Sequence, residues 1–204
     1  MTNISDRLLE GMIKEGIISD ENKEIYLFGI KELLSQILTY LVVLGIGLAF
    51  HMLIHTIVFV VAYMALRVYA GGYHAPTQFR CYVLSFGMVI AALMLIKWIN
   101  VTGFAVLAGI AFMGLIIYLL APSEHKNKPL SQNEKKVYKK KVGQRVIVYF
   151  LLSLAAVFTG VAEIAATIGI AMMFLIFMMI GNLQIEFKRE QNKDRMVFKA
   201  GTQK

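Results

Sequence analysis

A single cysteine in 204 residues excludes an intramolecular disulfide and any Cys-rich metal site. Charge is scarce as well. Only 17% of the residues are Asp, Glu, Lys or Arg, against about 25% in an average soluble domain. None of the four occurs from Leu33 to Phe59 or from Tyr82 to Ile96, and no acidic residue lies between Glu32 and Glu124. Such runs argue against an ordinary soluble domain and suit helices crossing a bilayer, where every backbone polar group is satisfied within the helix. The first 32 residues are mixed and acidic, without the basic, apolar and small-residue stages of a cleavable signal peptide. The net charge of +8 sits in loops and tails, so it gives no reason to expect a nucleic-acid partner.

What is abundant is apolar: 58% of residues are hydrophobic and the mean hydropathy is +0.65. Three long blocks carry this character, each with a polar interruption near its middle. Leu33–Leu66 contains His51 and His55, Tyr82–Leu120 contains Lys97, Trp98 and Asn100, and Val146–Ile185 contains Gly160 and Glu163. Each block is long enough for two spans and a tight turn. This predicts an all-α integral membrane protein with six transmembrane helices arranged as three hairpins. The spans are expected over 30–50, 52–67, 80–97, 102–120, 145–161 and 164–184, in one polytopic domain covering 1–204.

Orientation follows from the placement of Lys and Arg. The segment 121–144 and the tail 186–204 are both basic, whereas the first, third and fifth turns hold only Lys97 among them. Both basic regions fall on the cytoplasmic side only if the span number is even and both termini are cytoplasmic. The same parity puts the segment 67–81 on that side. Residues 3–18 read as an amphipathic helix, with Ile4, Leu8, Met12 and Ile13 on its apolar face; it suits either the membrane interface or packing on the protein. Ser131 to Glu134 (S-Q-N-E) reads as a capping box that starts a basic helix continuing into the fifth span. Its lysines suit anionic lipid headgroups, or less commonly an acidic peptide. Gly103, Gly109 and Gly114 suit close helix packing or a homodimer face.

Chemistry-bearing residues concentrate in R-V-Y-A-G-G-Y-H-A-P-T-Q-F-R-C, Arg67 to Cys81. Gly71 and Gly72 permit a sharp turn or close backbone approach, and Pro76 suits the first turn of a helix carrying Cys81 about a turn and a half inside. A free thiol has a pKa of roughly 8.5, so a neighbouring imidazole such as that of His74 would serve as its base and later protonate a leaving amine. No carboxylate close in sequence is available to orient that imidazole, which leaves Gln78 or a backbone carbonyl. Arg67 and Arg80 suit a substrate carboxylate or an oxyanion, and equally suit anchors at the membrane edge. On spacing alone a packing thiol and a hydrogen-bonded loop histidine fit as well. His51 and His55 lack a third ligand nearby, so neither a metal nor a cofactor is expected.

L-R-V-Y-A-G-G-Y-H-A followed by Cys81, together with A-P-S-E-H-K-N-K-P-L at Ala121–Leu130, resembles the accessory gene regulator B (AgrB) family of bacterial membrane endopeptidases. The resemblance implies a bacterial cell-membrane protein of quorum sensing that processes an amphipathic autoinducer propeptide with an acidic tail. It implies Cys81 as nucleophile and His74 as acid/base, a thioester on Cys81, and release of a thiolactone or lactone ring. A peptide exporter without covalent chemistry is the alternative, although Glu163 is the single candidate for a coupling carboxylate and sits at an expected outer turn. A non-enzymatic scaffold would leave the Gly-Gly, His and Cys segment without a chemical task.

Overall fold

Runs without a single charge can hide their backbone polar groups in a bilayer by forming helices, and the chain does so throughout. The computed structural model describes residues 2–16, 22–73, 77–98, 103–123 and 130–201, and every regular element among the described residues is helical. In chain order these are α1 (Thr2–Lys14), α2 (Lys23–Ala49), α3 (Leu53–Ala70), α4 (Gln78–Trp98), α5 (Gly103–Leu120), α6 (Gln132–Phe158) and α7 (Ala162–Gly201). α2 to α6 and the Ala162–Ile185 portion of α7 are long and apolar enough to cross a membrane. The all-α, six-span reading is thereby borne out, and the chain is a multi-pass membrane protein.

A surface of small residues makes α7 the element on which the others pack. Ala165, Gly169 and Ala171 are buried with Ile168, Met172, Leu175 and Met179, and the small ones admit neighbouring backbones closely. Half of the α7 span is buried, against a third or less of any other span, and α3, α4, α5 and α6 all touch it. Phe59 of α3 meets Phe174 of α7 edge-on at 5.9 Å and stacks with Tyr63 at 6.0 Å. Tyr149 of α6 donates its hydroxyl to the Ala62 carbonyl at 2.8 Å, a buried bond that ties α6 to α3. Gly103 and Gly114 admit Val157 and Val146 of α6, where a Cβ would crowd them. These two glycines therefore serve helix packing within the chain.

Two described turns share one device for reversing the chain. After α2, His51 takes φ +57° and Met52 N–H donates to the Gly47 carbonyl at 2.8 Å; after α6, Gly160 takes φ +79° and Val161 N–H donates to the Ala156 carbonyl at 2.9 Å. Each is a left-handed residue followed by a six-to-one bond, which satisfies a terminal carbonyl and stops the helix. Histidine is among the few non-glycine residues enriched there.

The capping box predicted from Ser131 to Glu134 is formed. Glu134 N–H donates to Ser131 Oγ at 3.3 Å, and Ser131 N–H to Glu134 Oε2 at 2.8 Å. From Gln132 onward the basic segment is thus one helix with the span that follows. α1 packs against α2, with Ser5 and Leu9 buried and Leu8 exposed.

Candidate active site

α3 ends at two glycines. Gly71 follows the last turn with φ +81° and ψ −163°, donating its N–H to the Arg67 carbonyl at 2.9 Å, and Gly72 continues at φ +146°. Both conformations are strained for any residue bearing a side chain. At Gly71 space forbids one too, because a Cβ would overlap the carbonyl oxygen of Ser123. Ser123 lies just beyond α5. Its N–H donates to the Ala70 carbonyl at 2.8 Å, and its hydroxyl accepts from Asn182 Nδ2 of α7 at 2.9 Å. The Gly-Gly turn and the Ala-Pro-Ser segment, far apart in sequence, therefore form one backbone junction resting on α7.

Tyr73 is fixed from both sides. Its N–H donates to the Met178 carbonyl of α7 at 3.1 Å, and its own carbonyl accepts from Arg67 Nη2 at 2.8 Å. Arg67 Nη1 donates to the Tyr63 hydroxyl at 3.0 Å, and the guanidinium lies 5.5 Å from the centre of the Tyr63 ring. The planar fork reaches the two acceptors with two separate nitrogens, where an ammonium offers one. Arg67 thus works as a brace for the turn. His74 follows Tyr73 in the sequence and, with Ala75 and Pro76, lies outside the described residues.

The described part of α4 opens at Gln78, because Thr77 takes the capping position. Thr77 Oγ1 accepts from the Arg80 N–H at 3.4 Å and its carbonyl from the Cys81 N–H at 3.1 Å. Cys81 accordingly stands in the first turn, closer to the helix start than proline placement suggested. Its side chain is exposed and lines a narrow pocket with Arg67, Tyr73, Ser85, Met88 and Met178. The two thioethers are unbranched and adapt readily to a ligand. Arg80 is exposed on the same turn.

The sequence offers no carboxylate near this segment, and the fold supplies one. Glu32 of α2 accepts from Gln78 Nε2 at 3.3 Å and from Gln36 Nε2 at 3.3 Å. One turn further along both helices, the Ser35 and Tyr82 hydroxyls are hydrogen-bonded. Gln78, a sequence candidate for orienting a histidine, is therefore tied to α2.

Tyr69 connects this end of the bundle to the basic turns of α6. Arg145 Cζ lies 4.1 Å and Lys141 Nζ 4.8 Å from its ring centre, and Tyr138 packs edge-on at 5.6 Å. Lys139 Nζ similarly lies 5.0 Å from the Tyr118 ring centre. Lys136 and Lys140 remain exposed on the same helix. At the other end of α3, His55 Nδ1 is 3.0 Å from Thr167 Oγ1 and Nε2 is 3.6 Å from Glu163 Oε2. About 22 Å of helix separates that cluster from the Gly-Gly turn, at 1.5 Å per residue.

The structure thus brings Cys81 and Arg67 to one pocket, gives Gly71 and Gly72 the shaping of its approach, and leaves Gln78 and Arg80 beside it. Sequence reasoning missed Glu32, Tyr73, Ser123 and Asn182. For Asn182 a signal existed, namely a carboxamide near the end of a long apolar run.

Comparison with known proteins identifies the family. The accessory gene regulator B (AgrB) family matches residues 5–181. An AgrB-like protein of Listeria welshimeri is 27% identical over 175 residues, covering 84% of each chain. AgrB-like protein 2 of Clostridium perfringens is 28% identical over 159 residues, covering 73% of each. An AgrB-like protein of Listeria innocua is 27% identical over 162 residues, covering 78% of this chain and 75% of its own. No solved structure matches the chain significantly. The family match takes in five spans and most of the sixth, with the Gly-Gly turn, Cys81 and Ser123, and the chain belongs to the accessory gene regulator B family.

Proposed function

We propose that the chain is a membrane cysteine endopeptidase that removes the C-terminal tail of an autoinducer propeptide and closes the remainder into a ring. AgrB proteins act with an autoinducer propeptide in quorum sensing, which supplies the class of substrate. The observation that carries the reading is that Cys81, the chain's only cysteine, opens on a pocket walled by Arg67 and by Tyr73, the residue before His74.

In this reaction His74 takes the thiol proton and Sγ of Cys81 attacks the carbonyl carbon of the bond to be cut. The tetrahedral intermediate collapses as the C–N bond breaks, and His74 returns the proton to the departing amine. The rest of the peptide stays as a thioester on Cys81. A Cys or Ser of the same peptide then gives its proton to His74 and attacks that thioester, expelling Cys81 as thiolate, which regains the proton. Exchange of thioester for thiolactone conserves the activated bond, and attack within one bound molecule has an effective concentration far above that of an external nucleophile. The first turn of α4 offers the positive end of a helix dipole to the developing oxyanion. Because both terminal nitrogens of Arg67 already have acceptors, exposed Arg80 is the better cation for a substrate carboxylate.

The basic turns of α6, held beside the site through Tyr69, suit the acidic tail of the propeptide and anionic lipid. The positive-inside rule supports a cytoplasmic location for this end of the bundle and for both termini. The test uses a synthetic amphipathic peptide with a central Cys or Ser and a fluorophore on its acidic tail, and the purified protein in vesicles containing anionic lipid. Wild-type protein is expected to release the tail and Cys81→Ala to release none. Uncut peptide crossing the vesicle membrane at equal rates with both proteins would overturn the reading in favour of an exporter.

A further inference from the structure

A polar side chain buried in an apolar span is retained only where it is hydrogen-bonded, because burying a carboxamide without a partner costs several kcal/mol, on the order of 1–3 by mutational measures. Asn182, near the end of the sixth span, is a buried residue of this kind. It is 2% exposed, lies on α7 one turn beyond Met178, and donates to the hydroxyl of Ser123, itself 9% exposed. It stands one residue past the stretch matched by the family.

What these two residues hold is the approach to the site. Ser123 N–H fixes the Ala70 carbonyl, the Ser123 carbonyl packs where a side chain on Gly71 would be, and the Met178 carbonyl receives the Tyr73 N–H. Met178 and Asn182 thus form a template on one face of α7, with Met178 gripping the turn directly and Asn182 gripping it through Ser123. The segment so fixed runs straight into His74 in the sequence. Neither Asn182 nor Ser123 lines the Cys81 pocket.

We propose that Asn182, acting through Ser123, is a positioning residue for the peptidase reaction, holding the backbone of 70–73 in register so that Tyr73 keeps its place in the wall of the Cys81 pocket. The inference rests on the cysteine-peptidase reading above. Loss of the link lets the turn shift on α7, and a displacement of about 1 Å at a reacting group costs roughly 100-fold in rate. Peptide capture by the basic turns of α6 stays intact.

Tail release from the fluorophore-labelled peptide is measured in vesicles for wild type, Cys81→Ala, Asn182→Ala, Ser123→Ala and the Asn182→Ala/Ser123→Ala double variant, well below each melting temperature. Each single variant is expected to lose about 100-fold in kcat with KM within about twofold, and the double variant to be no slower than the slower single, because one link is broken either way. Should Asn182→Ala fail to fold, Ser123→Ala carries the decision, since it removes a single oxygen from the same link. Wild-type kcat in the folded variants, a loss confined to KM, or losses that multiply in the double variant would overturn the positioning role. Activity retained by Cys81→Ala would instead overturn the peptidase reading on which it stands.

Discussion

Gly71 and Ser123 meet backbone to backbone. A Cβ on Gly71 would overlap the Ser123 carbonyl oxygen, while Ser123 N–H is bonded to the carbonyl of the preceding residue, Ala70. The end of α3 and the exit from α5 are locked together at the threshold of the Cys81 pocket, and no side chain fits between them.

Gly71→Ala should therefore be more damaging than an ordinary glycine substitution. Its φ of +81° with ψ −163° costs an alanine about 1–3 kcal/mol on conformation alone, before the overlap with Ser123 is relieved. A lower melting temperature in detergent, with loss of tail release, is the expected result. Wild-type melting and wild-type release would show that the junction tolerates a side chain.

Arg67→Lys should fail despite keeping the charge. The guanidinium reaches the Tyr63 hydroxyl and the Tyr73 carbonyl with two nitrogens, and an ammonium cannot reproduce that fork. Losing one charge-assisted hydrogen bond, roughly 1.5–3 kcal/mol, corresponds to a fall in tail release of about tenfold or more. A lysine variant with wild-type kinetics would mean that only the charge matters.

Thr77→Ala should loosen the first turn of α4, whereas Thr77→Ser should not. The hydroxyl accepts from the Arg80 N–H, and such caps contribute about 1 kcal/mol. Amide hydrogen exchange over residues 78–81 is expected to quicken in the alanine variant and to stay near wild type in the serine variant. Equal exchange in all three proteins would assign the cap no role in holding Cys81.

Lys136→Glu with Lys140→Glu should raise KM for the labelled peptide and leave kcat unchanged, because both side chains are exposed and neither lines the pocket. The effect should shrink in concentrated salt, as the Debye length falls from about 10 Å at 0.1 M to about 3 Å at 1 M. An unchanged KM at low salt would remove the basic turns from substrate capture.

The six spans were legible in the sequence because charge-free runs leave the backbone few alternatives, and the S-Q-N-E box was legible because its two bonds join residues three apart. Cys81 and the glycines stood out as chemistry set among apolar residues. Contacts between helices were not legible. Glu32 reaches Gln78 across 46 residues, and Asn182 reaches Ser123 across 59, through packing that no single helix's periodicity encodes. The start of α4 illustrates a local competition, in which a threonine hydroxyl able to cap set the described boundary at Gln78.

The central claim is that acyl transfer runs through a bond to Cys81. Intact-mass measurement of the purified chain, quenched in acid shortly after mixing with the labelled peptide in vesicles, tests it most directly. The account predicts a mass increase equal to the peptide without its tail, located on Cys81, removed by hydroxylamine and absent from Cys81→Ala. Tail release at an undiminished rate by Cys81→Ala, with no adduct on either protein, would contradict it.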